Sequence, residues 1–138
     1  KVAKVHKDSI PASKEVKTYL DALSEELLDH LQKEERILFP YIKRLEAAIQ
    51  QPTADRSAFK GVSGPIGQME LEHEFAGEMM RKIRAATDDF TPPDFACNTV
   101  RVLYKMLEEF EGDLHQHVHL ENNLLFPRAL KMEAQLTA

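Results

Sequence analysis

Apolar residues fall three or four positions apart over most of the chain, and no stretch alternates as a half-buried strand would. Over residues 14–49, Val16, Leu20, Leu23, Leu27, Leu38 and Tyr41 share one helical stripe, with His30 and Glu34 on the same line. Ser13 is a candidate N-cap, and Glu15 suits the positive end of that helix. Pro40 falls inside the run. Its missing donor and its ring predict a bend or interruption, with residues 41–49 continuing beyond it.

A second helix is expected from Pro65 or Ile66 to about Thr87, with Ile66, Met69, His73, Ala76 or Gly77, Met80 and Ile83 inward. Gly77 costs such a helix about 1 kcal/mol relative to Ala, and one physical reason to place it there would be close approach of a neighbouring helix or a bound group. A third helix should start near Asp94. It turns Val100, Leu103, Leu107, Phe110, Leu114, His117, Glu121 and Leu125 inward. Pro127 marks a bend or an end, and residues 129–136 suit a further short helix.

Residues 51–68, with Pro52, Gly61, Gly64, Pro65 and Gly67, read as a connecting loop with one turn at 58–60. Residues 87–94, with Pro92-Pro93, read as a turn. Residues 1–7 read as the last turns of a helix that Pro11 terminates. Three long helices and a stump leave part of the apolar stripes uncovered. A four-helix bundle would cover them, its first helix lying largely before Lys1. The expected organisation is one all-α, N-terminally truncated domain over 1–138.

Composition narrows the function classes. The 138 residues are 43% hydrophobic and 30% charged, with no eighteen-residue apolar run, which argues against a membrane span. A net charge of -5 without a basic cluster argues against nucleic acid as a partner. The single cysteine, Cys97, excludes Cys-rich zinc sites and a Cys-ligated iron–sulfur cluster, and suits a reducing, cytoplasmic compartment. Its neighbours Phe95, Ala96 and Val100 predict a buried thiol.

The chemistry is concentrated in a repeat. Glu26-Leu-Leu-Asp-His30-Leu-Gln-Lys-Glu34-Glu-Arg-Ile-Leu38-Phe39-Pro40 and Asp113-Leu-His-Gln-His117-Val-His-Leu-Glu121-Asn-Asn-Leu-Leu125-Phe126-Pro127 follow the same pattern. In each copy the His and the Glu are four apart and face the apolar stripe. His73 lies four after Met69 and seven before Met80, and also points inward. His115 and His119 sit about 200° from His117 on their helix and should be surface residues. A buried carboxylate is costly unless paired or bound to a cation. Paired His–Glu contacts without metal are the bland reading. Two copies plus His73 favour a metal instead.

Imidazole and carboxylate without thiolate suit iron, manganese or zinc. Each Glu can bridge two ions, so the count favours two metals over one closed structural zinc. It is one histidine short of symmetry, and His6 could supply a substitute or a further ligand. Glu26 and Asp113, four residues before His30 and His117, are either partners for the far ring nitrogens or ordinary surface carboxylates. Phe39, Phe126 and the methionines suit core packing. No nucleophile–base pair stands out, so hydrolysis fits poorly, and whether the chain turns over a substrate stays open.

At His30-x-x-x-Glu34, Glu72-His73 and His117-x-x-x-Glu121-x-x-x-Leu-Phe-Pro the chain resembles the hemerythrin-like family. More narrowly, it resembles the C-terminal domain of the iron–sulfur cluster repair di-iron proteins. The longer words Met69-Glu-Leu-Glu-His73-Glu-Phe-Ala-Gly77-Glu, Thr91-Pro-Pro-Asp-Phe-Ala-Cys97 and His119-Leu-Glu-Asn-Asn-Leu-Leu-Phe-Pro-Arg128-Ala carry that closer match.

The resemblance implies an up-and-down four-helix bundle. It also implies a cofactor of two non-haem iron ions (Fe2+/Fe3+) with a bridging oxo or hydroxo group. His30, His73 and His117 would be terminal ligands, Glu34 and Glu121 bridging carboxylates, and His6 a further ligand. The implied function is repair of iron–sulfur clusters damaged by nitric oxide or oxidants, by iron donation or nitric oxide chemistry. The implied partners are proteins with damaged clusters, and nitric oxide or oxygen as small ligands. The alternative is an oxygen-, nitric oxide- or iron-sensing domain without turnover. The family's first-helix ligand and its small cysteine-bearing N-terminal domain have no counterpart here. A homodimer that exchanges helices is one way to cover the gap, but the favoured reading is that the sequence is a fragment of a longer, competent protein.

Overall fold

The computed structural model describes residues 12–51 and 61–137, and every regular element among them is helical. Helix α1 is Ala12–Lys33, α2 Phe39–Gln50, α3 Ser63–Ala86, α4 Asn98–Leu120 and α5 Phe126–Thr137. A π-helical turn, Glu34–Leu38, joins α1 to α2, and a second, Glu121–Leu125, joins α4 to α5. The expected stump at 1–7, His6 within it, and the turn at 58–60 lie outside the described residues.

The interruptions expected at Pro40 and Pro127 take the form of these π turns. A proline ring crowds the carbonyl four residues earlier and donates no hydrogen bond. Here the turn before each proline is widened instead. Phe39 N–H donates to the carbonyl of Glu34, and Phe126 N–H to that of Glu121, five residues back in both cases. The second run does not end at Pro127 but continues to Thr137.

Two other boundaries move. Helix α3 begins at Ser63, so Gly64, Pro65 and Gly67 are helical rather than looped. The first N–H groups of a helix have no intrahelical acceptor, which makes Pro65 harmless there. Helix α4 begins at Asn98, four residues later than expected.

The chain divides into two compact units. The first comprises residues 1–27 and 74–116. Its buried side chains include Val16, Leu23, Met80, Ile83, Val100 and Leu107 of the inward stripes, together with Tyr104, which lies off them, while Leu20, Leu27, Leu103 and Phe110 are half-buried. The Thr87–Asp94 turn contains three successive residues at positive φ, Asp88, Asp89 and Phe90. Left-handed conformations disfavour side chains bearing a Cβ, and local bonds offset that cost. Phe90 N–H donates to Thr87 Oγ1 at 3.1 Å, and Arg84 lies 5.1 Å over the Phe90 ring while its guanidinium reaches Glu111 at 3.1 Å.

Among the described residues a Cβ at Gly77 would meet only Arg81 Nη1, at 3.5 Å, so no close approach of a described helix accounts for that glycine. One expectation fails in this unit. Cys97 is exposed, because α4 starts after it and leaves it in the preceding turn.

The second unit comprises residues 28–73 and 117–138. Its core joins Leu38, Ile42, Val62, Ile66, Met69, Phe126 and Ala129. Leu45, Ala48 and Leu136 form a second cluster. Tyr41 on α2 donates to Glu133 on α5, and the same carboxylate accepts from Val62 N–H at 3.1 Å, just before α3. Burial and the neighbouring Glu133 carboxylate push the Tyr41 phenol up to about 12. Every residue of the repeated motif from His30 and from His117 onward belongs to this unit.

Candidate metal centre

The second unit brings five of the six candidates together. Ligand-capable atoms of His30, Glu34, His73, His117 and Glu121 all lie within 4.8 Å of one another. Helix α1 supplies His30, α3 supplies His73 and α4 supplies His117, while Glu34 and Glu121 each open a π turn. His30 and Glu34 are 2% and 1% exposed, His73 and Glu121 5% and 4%. The His117 side chain is the most open, at 35%. His115 and His119 are exposed, as their helical phase predicts.

The ring centroids of His30 and His73 are 4.8 Å apart, and those of His73 and His117 5.8 Å. Phe126 lies parallel to the His73 ring at 5.9 Å, walling one side of the cluster with apolar surface.

The orientation of the rings tests whether a cation fits. His30 Nδ1 faces Glu72 Oε1 at 2.9 Å, and His73 Nδ1 faces Asn122 Oδ1 at 2.9 Å. A carboxylate or amide oxygen only accepts, so both Nδ1 atoms carry the proton. That leaves each Nε2 lone pair aimed inward.

There the lone pairs meet oxygens. His30 Nε2 is 2.6 Å from Glu34 Oε1, His73 Nε2 is 3.2 Å from Glu121 Oε1, and His117 Nε2 also touches Glu121 Oε1. None of these contacts has hydrogen-bond geometry. Among the described residues, His30 Nε2, His73 Nε2, His117 Nε2, Glu34 Oε1 and both Glu121 oxygens are buried with no hydrogen-bond partner. Unsatisfied acceptors packed against one another are strongly unfavourable. A divalent cation among them would satisfy these atoms, and the donor set suits a nitrogen–oxygen metal site.

Protons compete for the same atoms. Burial lowers the proton affinity of His30, but the carboxylates of Glu121, Glu34 and Glu72 outweigh it and push the ring up to about 10. Glu121 and Glu34 raise His117 to about 9 against burial. Burial opposes ionisation of Glu121, yet His117, His30 and His73 hold it far below the usual carboxylate range. Glu72 is likewise lowered against burial, by Lys33, Gln68 and His30.

Glu26 and Asp113, the residues weighed as partners of the far ring nitrogens, are exposed. Behind His30 the work falls instead to Glu72, while Asn122 backs His73, for which no such partner is expected from the repeat. Glu72 precedes His73 by one residue and Asn122 follows Glu121 by one, so neither lies on the stripe from which the ligands were read. Glu72 also accepts from Lys33 Nζ at 2.9 Å and Gln68 Nε2 at 3.0 Å.

Residues 2–129 match the hemerythrin HHE cation binding domain. The chain belongs to the hemerythrin family. The all-α architecture is accordingly that of a hemerythrin-like bundle. The chain is 45% identical over 134 residues to the iron-sulfur cluster repair protein YtfE of Musicola paradisiaca (strain Ech703), covering 97% of this chain and 55% of that protein. It is 44% identical over 133 residues to the protein of the same name from Yersinia pseudotuberculosis serotype O:1b (strain IP 31758), covering 96% and 55%. The counterpart from Yersinia pestis (strain Pestoides F) is 43% identical over 133 residues, with the same coverage. The chain thus spans about half the length of these relatives. No described helix is long and apolar enough to cross a membrane.

Proposed function

We propose that this chain holds two non-haem iron ions and serves the repair of iron–sulfur clusters damaged by nitric oxide or oxidants. The observation that carries the reading is the set of six buried, unpartnered nitrogen and oxygen atoms converging from three helices. The cluster-repair relatives supply the biological context. Iron bound there would supply one-electron redox chemistry and affinity for small ligands such as nitric oxide.

The chain's own residues set the terms. His30, His73 and His117 would each give one Nε2 lone pair. Glu34 and Glu121 carry two oxygens each and would bridge. Their two negative charges offset part of the charge of two divalent ions. Phe126 excludes water from the His73 side. His117, the most exposed of the five, lies where a small ligand or a departing ion meets least obstruction. Iron as cargo for a damaged cluster would leave as those five groups regain protons. The partners in this reading are the damaged iron–sulfur proteins themselves.

The test combines iron quantitation with reactivation. The chain, loaded anaerobically with Fe(II), is mixed with an iron–sulfur dehydratase inactivated by nitric oxide. Recovery of dehydratase activity with wild type, and not with Glu34→Ala, is the expected result. Iron far below one ion per chain, with helicity unchanged by chelator, would sink the metal reading. Full iron loading without reactivation would sink the repair reading alone.

A further inference from the structure

The two buried histidines are held from behind by chemically different groups. His30 Nδ1 meets the Glu72 carboxylate, whereas His73 Nδ1 meets the Asn122 amide oxygen, both at 2.9 Å. The second contact depends on local geometry. Successive α-helical side chains diverge by about 100°, so a residue following an inward Glu ordinarily leaves the site. Asn122 is the second residue of a π turn. It is half-buried and reaches across to α3. The first π turn has Glu35 at the equivalent place, and Glu35 is exposed.

We propose that Asn122 is a positioning residue of the metal centre: it aims His73 Nε2 at Glu121 and leaves His73 a weaker electron donor than His30. The inference rests on the metal reading above. The physical reason is the charge of the acceptor. An ionised carboxylate draws on the Nδ1 proton and makes the imidazole more basic toward a metal at Nε2, whereas an amide oxygen fixes the same tautomer without that charge. Lys33 and Gln68 share the Glu72 carboxylate and temper its pull without neutralising the difference. The centre is therefore electronically unequal at its two most buried histidines. His30 favours the higher oxidation state of an ion it binds, and His73 the lower.

Two substitutions separate orientation from charge. Asn122→Ala removes the acceptor, and Asn122→Asp keeps its shape while adding the charge. Co(II) titration of the whole chain, followed in the visible ligand-field bands, reads affinity and geometry. Spectroelectrochemistry of the iron-loaded chain reads the reduction potential, and circular dichroism checks folding.

Asn122→Ala should bind Co(II) roughly 10–100-fold more weakly with helicity unchanged. Asn122→Asp should keep the affinity of wild type or exceed it, and lower the potential. A residue that merely packs would not move the potential in Asn122→Asp. Wild-type affinity in Asn122→Ala, or an unchanged potential in Asn122→Asp, overturns the proposal. If Asn122→Ala fails to fold, Asn122→Asp decides alone. Failure of wild type to bind Co(II) or iron overturns the metal reading and this inference together, whereas normal wild-type binding with indifferent variants overturns only the inference.

Discussion

The motif copies beginning at His30 and His117 share their sequence pattern and their π turns, yet meet different surroundings. His30 is sealed at 2% exposure and backed by a carboxylate, while the His117 side chain is 35% exposed. Among the described residues no hydrogen bond to His117 Nδ1 is found. Phe39 is partly buried at the edge of the core, whereas Phe126 is fully buried and lies against His73. Glu35 points to solvent where Asn122 points to His73. A repeat can therefore duplicate a set of ligand candidates without duplicating their surroundings. The ligands follow from helical phase, whereas basicity, access and wall are set by whatever packs against each copy.

The aromatic pair offers the strongest way to test that contrast. Phe126→Ala should cost about 3–5 kcal/mol of stability, measured by urea denaturation of metal-depleted protein, and Phe39→Ala distinctly less. Equal losses would show that the two copies are packed alike. The carboxylates come next. Glu34→Ala and Glu121→Ala should each lower metal affinity by more than the roughly 100-fold upper range seen for outer partners. His115→Ala and His119→Ala should leave iron content unchanged. Comparable losses in all four variants, by elemental analysis of freshly loaded protein, would refute the assignment of helix faces.

Glu72→Gln addresses the histidine backing directly. It keeps an acceptor behind His30 but removes the charge, so the two buried histidines become alike. Metal affinity should drop by up to about 10-fold, the low end for outer partners, and the reduction potential of the iron-loaded protein should rise. A fall in potential would mean that Glu72 does not act through His30.

A further contrast between metal-depleted and metal-loaded protein is in pH dependence. His30 and His117 are raised to about 10 and about 9 in the folded chain, against roughly 6.5 in an unfolded one. A raised pKa means the folded state binds the proton more tightly. Their contribution to the stability of metal-depleted protein is fully present below about pH 6.5. It is lost as pH rises through 9 to 10. Glu121, held far below its usual range, acts oppositely and loses its contribution on acidification. The thermal midpoint of metal-depleted protein should fall between pH 7 and 10, and metal-loaded protein should show a flatter profile because bound metal replaces those protons. Parallel profiles would argue that the cluster's protons and the metal do not compete. Melting curves with and without chelator across that range provide the comparison.

Helical phase alone placed His30, His73, His117, Glu34 and Glu121 inward and His115 and His119 outward, because three-to-four spacing is local and survives any packing of the helices. The turn at 87–94 and the apolar stripes were legible for the same reason. The π turns were not, since a proline predicts only that a helix cannot continue undisturbed and leaves the remedy to its surroundings. Cys97 was expected inside because its neighbours are apolar, but where α4 begins decides its exposure. Gly77 carried a cost that no close approach among the described residues explains. Glu72 and Asn122 could not be found by following the ligand stripe, for each is displaced one residue from it and matters only through a partner 42 or 49 residues away. The amino-acid sequence by itself determined the helices, their inward faces and the five convergent ligand candidates. Tertiary packing alone decided which atoms stand behind the histidines, and so made two copies of one motif chemically unequal.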